Sequence, residues 1–130
     1  MIFLDTDVCI ELLRGNQRVI QNARLYREKF GLSFMCVAEL YYGAQNSAYP
    51  TDNKLLVDRF LLTLSVVHTD PEILMKFGDL KSRLKKQETL IPDADLFIAS
   101  TALVKGQLLV TGNTKHFQRI EGLKIENWIR

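Results

Sequence analysis

Residues 2–15 read IFLDTDVCIELLRG. Ile2, Phe3 and Leu4 form a short, unbroken apolar run that ends in an acid, Asp5. A run of that length predicts a buried strand over 2–5. The apolar spacing then changes. Val8, Ile10, Leu12 and Leu13 precede Gly15, which predicts a short helix over 8–14. A buried strand that feeds straight into a helix is how a parallel α/β sheet begins.

The same alternation continues outward from this unit. Val19, Ile20, Ala23 and Phe30 predict a helix over 17–30, broken by Gly31, with a strand over 32–34. A helix over 37–44 carries Glu39; 46–52, with Pro50, reads as a loop; a helix follows over 53–62. Residues 64–68 are short, apolar and β-branched, which predicts a third strand. Asp70-Pro71-Glu72 is a strong helix start, with a capping acid, proline at the first helical position and an acid in the first turn. That helix runs to about Lys86, and its basic end suits the helix dipole. Residues 93–105 predict the next helix, 107–111 a fourth strand, 114–118 a single helical turn and 123–126 a fifth short strand. The expected fold is therefore α/β, a three-layer α/β/α sandwich around a mainly parallel sheet of about five strands.

At 130 residues the chain is expected to form one domain over 1–130. Folding at that length buries roughly two-thirds of the extended chain's surface, enough for a core without staples. Hydrophobic residues at 47% and charged residues at 25% are ordinary for a globular protein. No apolar run reaches membrane-spanning length, and the N-terminus reads as a strand rather than a signal peptide. Cys9 and Cys36 lie in apolar segments with no CxxC spacing, so buried free thiols in a reducing, cytoplasmic setting are expected and a zinc site is not. A net charge of +2 permits nucleic-acid binding without arguing for it.

The acids carry the functional signal. In open parallel sheets, sites form at the carboxyl ends of strands. Asp5 and Asp7 follow the first strand, Glu39 lies just beyond the second, Asp93 and Asp95 open the helix of IPDADLFIAS (91–100), and Asn113 follows the fourth strand. Converging carboxylates cannot all ionise without a counter-charge. Oxygen donors with no paired His or Cys select Mg²⁺ or Mn²⁺, ions that activate water and stabilise charge on a phosphodiester. Asp93 is then expected to cap its helix while Asp95, in the first turn, points at metal.

FLDTDVCIELLRG, CVAEL, DADLFIASTAL and LLVTGNTKHFQRIEGLKIENW, in this order along nearly the whole chain, resemble the PIN-domain family and, within it, the VapC-type toxins of bacterial toxin–antitoxin pairs. The resemblance implies an endoribonuclease dependent on Mg²⁺ or Mn²⁺. By position, Asp5, Glu39 and Asp95 match the family's metal-binding and catalytic acids. Asn113 stands where many members carry a fourth acid, and as an amide it adds no charge; Asp7 stands where most members carry Asn. The resemblance also implies a VapB-type antitoxin that blocks the site with its C-terminal segment, a homodimer within a toxin–antitoxin hetero-oligomer, and an RNA target such as transfer or ribosomal RNA.

Each residue also has a plainer reading. Asp5 and Asp93 suit helix caps, Asp7 a supporting hydrogen bond, and Asn113 a turn. Glu39 is different, because an acid among Val37, Ala38 and Leu40 needs a partner. Thr6 and Thr111 can orient carboxylates through their hydroxyls. His68 and His116 have no histidine partner at ligand spacing and read as structural, with His116 near RNA. Two rival functions remain. LDTDV also resembles the opening of haloacid-dehalogenase-like phosphatases, with Asp5 as nucleophile. Asn113 suits a catalytically dead PIN-like module that binds RNA or protein.

Overall fold

Strand β1 (Ile2–Leu4) is buried at every residue, and its place in the sheet explains why. The structure, a computed structural model, describes residues 1–130. β1 is flanked by β2 (Phe30–Ser33) and β4 (Leu108–Val110), while β3 (Ser65–Val67) and β5 (Ile125–Glu126) form the edges. The order is β3-β2-β1-β4-β5, and all four pairings are parallel. Ile2, Phe3 and Leu4 pair with Leu108, Leu109 and Val110.

Parallel neighbours require crossovers, and helices supply them. α1 (Thr6–Leu13) and α2 (Gln17–Arg24) join β1 to β2; α3 (Phe34–Gln45) and α4 (Pro50–Leu61) join β2 to β3. α5 (Pro71–Lys86) and α6 (Asp93–Lys105) return to β4, and the single turn α7 (Thr114–Phe117) leads to β5. The first two connections step one way along the sheet and the last two step the other way. Right-handed crossovers then put α1–α4 on one face and α5–α7 on the opposite face. The sequence therefore yields the three-layer sandwich it predicts, with a sheet that is wholly parallel.

The apolar positions of the strands supply the middle of the core. Phe3, Leu4, Leu32, Leu109 and Val110 pack with Val8, Leu96, Ile98 and Phe117 from the helices. Each such side chain contributes roughly 1.5–3 kcal/mol of hydrophobic stabilisation on burial. The connections diverge between β1 and β4, which opens a crevice beyond the carboxyl ends of those two strands.

Several boundaries differ from the sequence expectation, each for a local reason. The helix expected over 17–30 stops at Arg24, because Phe30 pairs with Ile2 and the Ile2 N–H donates to Lys29 O at 2.9 Å. Tyr26 and Phe30 instead pack on Trp128, stacked and edge-on respectively. Sheet pairing and aromatic packing thus override helical spacing. α3 begins at Phe34, which is helix rather than strand, because Ser33 is an N-cap whose hydroxyl accepts from the Cys36 N–H at 3.3 Å. α4 begins at Pro50, the first helical position, where a missing N–H costs nothing. Asp52 therefore sits in a first turn and not in a loop. Asp70 caps α5 as expected, accepting from the Ile73 N–H at 2.9 Å.

Gly106 ends α6 against the ring of Phe3. A Cβ there would lie 2.5 Å from Phe3 Cδ2 and 3.0 Å from the Met1 carbonyl oxygen. Phe3 is fully buried in the central strand and cannot swing away. Gly106→Ala is therefore expected to destabilise the fold by about 1–3 kcal/mol, read as a lower urea midpoint with unchanged slope.

Candidate active site

The acids that follow the strands meet at the crevice. Asp5 directly follows β1 and is 6% exposed. Its N–H donates to Val110 O at 2.9 Å, which carries the β1–β4 ladder one residue into the site. Its carboxylate accepts from the Thr6 N–H at 2.8 Å and from the Thr111 hydroxyl at 2.7 Å. That hydroxyl in turn accepts from the Asn113 N–H at 2.9 Å, so its proton is committed to Asp5. Burial pushes the Asp5 carboxyl up to about 7, and the charges of Asp7 and Asp95 push the same way; the Thr111 and Thr6 bonds only partly oppose them.

Glu39 projects from the second turn of α3 and accepts from the Thr6 hydroxyl at 2.7 Å. Oxygens of Asp5 and Glu39 and the Cys36 sulfur all lie within 4.8 Å of one another. The thiol is not a competing ligand. Burial pushes Cys36 up to about 12, and it donates to Leu4 O at 3.7 Å. Asp7 accepts from the Val8 N–H at 2.8 Å and from the Gly112 N–H at 2.9 Å. Its carboxyl is raised, chiefly by burial, against those two bonds and the Arg130 charge.

Asp95 lies in the first turn of α6, outside the Asp5–Cys36–Glu39 cluster but close enough to raise Asp5 by repulsion. Its Oδ2 is 2.6 Å from His116 Nδ1, and the Asn113 amide nitrogen is 2.9 Å from the same ring atom. One nitrogen cannot both donate to the carboxylate and accept from the amide. The shorter contact, to an ionisable acceptor, assigns the proton to Nδ1 and the bond to Asp95.

Two expectations change. Asp93 does not cap α6: the N-cap is Pro92, without a side-chain bond, and Asp93 instead pairs with Lys81 at 2.9 Å across the surface. A proline-fixed entry makes the acidic cap unnecessary. His116, expected to be structural, is part of the site, since its ring holds Asp95. Its only sequence signal was its place three residues after Asn113 at the start of a helical turn, and no spacing rule links it to an acid 21 residues earlier. His68, by contrast, makes no bond to any of these acids.

Two concavities flank the acids. A polar cavity of about 510 Å³ is lined by Asp7, Gly112, Asn113, Thr114, Lys115, Asn127 and Arg130. An open cleft of about 420 Å³ between α1, α3 and α4 has Ile10, Leu13, Leu40, Leu56 and Val57 on its walls and Glu39 among its lining residues.

Residues 2–123 match the PIN domain. Ribonuclease VapC2 of Haemophilus influenzae is 37% identical over 131 residues, covering 97% of this chain and 96% of that protein. The tRNA(fMet)-specific endonuclease VapC of Salmonella typhimurium is 33% identical and covers 96% of each. The crystal structure of VapBC2 from Rickettsia felis, bound to a DNA fragment from its promoter, superposes with a TM-score of 0.92 at 31% identity, covering 98% of this chain and 99% of that one.

The elevated Asp5 carboxyl has a consequence for stability. The unfolded chain loses this proton near 3.8, whereas the folded chain keeps it to about 7. Between those values the folded state binds more protons, so stability falls as pH rises through the window. In chelator, Asp5→Asn is expected to be about 1–3 kcal/mol more stable than the parent at pH 8, with the gain vanishing by pH 4. Urea unfolding of both proteins across pH 4–8 reads this; a gain that does not depend on pH contradicts it.

Proposed function

This chain belongs to the PIN-domain family, among its VapC-type members, and on that premise we propose that it is the toxin of a toxin–antitoxin pair, an endoribonuclease that uses Mg²⁺ or Mn²⁺. The observation that carries this reading is the buried Asp5 carboxylate, held beside Glu39 and repelled by Asp7 and Asp95. Such a cluster calls for a cation. The donors suit a hard ion, because the carboxylates offer oxygen and the protonated Cys36 thiol offers no thiolate. Asp5, Glu39 and Asp95 are the residues proposed to hold it. When bound, such an ion lowers the pKa of water and offsets charge on the phosphodiester.

The chain's own groups do the positioning. Thr111 and the Thr6 N–H fix Asp5, the Thr6 hydroxyl fixes Glu39, and His116 fixes Asp95. Asp7 anchors the backbone of Gly112 and so the loop that carries Thr111 and Asn113. Water attacks the phosphodiester in line and the bridging P–O bond breaks. The proton the water gives up is balanced by the one the departing oxygen takes from solvent to leave as a hydroxyl. The phosphatase alternative requires an accessible Asp5 nucleophile, and this carboxylate is buried and tied down by two donors.

The relatives' complexes support a VapB-type antitoxin as partner in a hetero-oligomer; a toxin homodimer within it is part of the same proposal. The apolar cleft beside Glu39 is the proposed seat of its C-terminal segment, apolar side chains filling the cleft and a basic one meeting the acids. The substrate class is RNA, with transfer RNA suggested by the Salmonella relative's name. Both cysteines are free and buried, which suits the cytoplasm. One PIN domain over 1–130 is the proposed organisation.

Purified protein is expected to cleave RNA with Mn²⁺ or Mg²⁺ and to stop when the ion is chelated; Asp95→Ala is expected to lose at least 100-fold in rate, and growth arrest with it, while unfolding at a similar temperature. Chelator-insensitive RNA binding without cleavage would support the inactive binding module instead. Leu56→Glu, placed on the half-exposed wall of the cleft, is expected to weaken antitoxin binding about tenfold or more and to leave RNA cleavage intact. Calorimetric titration with the antitoxin and an RNA cleavage assay check the two halves.

A further inference from the structure

The polar cavity next to the acids has no apolar residue on its wall. No aromatic or aliphatic side chain is present there as a stacking platform for a base. Two cations line it instead. Lys115 is exposed and forms no ion pair. The Arg130 guanidinium donates from Nη1 to Gly112 O at 2.8 Å and, although its charge reaches Asp7, forms no ion pair with it, which leaves its other N–H groups available. The Asn127 side-chain oxygen is used by the N–H groups of Ile129 and Arg130, so its amide nitrogen is left as a donor. Asp7 is the one acid on the wall, and both of its oxygens already accept backbone N–H groups.

Gly112 lines the cavity between Asp7 and Arg130. A Cβ at Gly112 would lie 2.7 Å from Asp7 Oδ2 and 3.2 Å from Arg130 Nη1. The same short loop supplies the Thr111 hydroxyl to Asp5 and Asn113 to the His116–Asp95 contact. The loop 111–113 thus borders the donor-rich cationic cavity and also contacts the acid cluster, and Asp7 belongs to both. An RNA strand that lays one phosphate at the acids must place a neighbouring phosphate within a nucleotide's length of them.

We propose that Lys115, Arg130 and Asn127 form a phosphate subsite that holds the RNA backbone one nucleotide away from the scissile bond. It rests on the ribonuclease reading, and it assigns the subsite to strand positioning without sequence preference. Target choice then comes from features of the RNA outside this cavity.

The test compares Lys115→Gln, Arg130→Gln and the double variant with the parent, using one cleavable RNA with Mn²⁺ at several salt concentrations. A control, Arg24→Gln with Arg27→Gln, removes two exposed charges that lie outside the cavity. The double variant is expected to raise KM about tenfold or more with kcat within about twofold, and to reduce the slope of log(kcat/KM) against log[salt] by about one. The control is expected to move neither. The loss should be equal for RNAs of different sequence around the cleavage site. Lys115→Gln removes a partnerless surface charge, so it reports even if Arg130→Gln weakens the fold. A parent that cleaves, with KM and salt slope unchanged in both single variants, overturns the subsite alone. A parent that does not cleave overturns the ribonuclease reading itself.

Discussion

Asp5 is a carboxylate at the end of the central strand of a parallel sheet, where water hardly reaches it. Its backbone belongs to the ladder with β4, so it cannot move out without breaking the sheet. Its side chain is held by one hydroxyl and one N–H against its own desolvation and the repulsion of Asp7 and Asp95. The result is a carboxyl raised to about 7. Structural burial alone would favour an apolar residue at this position. The electrostatic deficit is one that a cation, as in the proposed function, would offset.

The loop after β4 is the second organising feature. Thr111 binds Asp5, the Gly112 N–H binds Asp7, and Asn113 contacts the histidine that binds Asp95. Three acids from two other segments are thereby referenced to one stretch of backbone. Gly112 allows it, because any side chain there would occupy the space of the Asp7 carboxylate. The apolar cleft and the polar cavity have different walls and share only the acids between them. On the proposed function, that division gives a protein partner an apolar surface and an RNA strand a polar one beside the same acids.

The layered fold was legible because buried parallel strands leave an unmistakable trace. Ile2–Leu4 and Leu108–Val110 are continuous apolar runs, and Asp70-Pro71-Glu72 and Gly106 mark helix ends by local chemistry. Boundaries failed where a distant partner outweighed local spacing. Phe30 fits a helical stripe, yet Ile2 and Trp128, far along the chain in both directions, claim it for the sheet. Pro50 looked like a loop residue and serves as the first residue of a helix.

The sequence by itself determined the strand–helix alternation, the carboxylates at the carboxyl ends of strands, and the hydroxyls beside them, because these depend on short-range periodicity and on residue chemistry. Only the tertiary structure decided which acids converge. Asp93 and Asp95 are two residues apart and identical in chemistry, yet one pairs with Lys81 at the surface and the other turns to His116. Side chains two apart on a helix point in different directions, and what each meets depends on which elements pack there. The reach of Thr111 to Asp5, across 106 residues of chain, exists only because β1 and β4 are neighbours in the sheet.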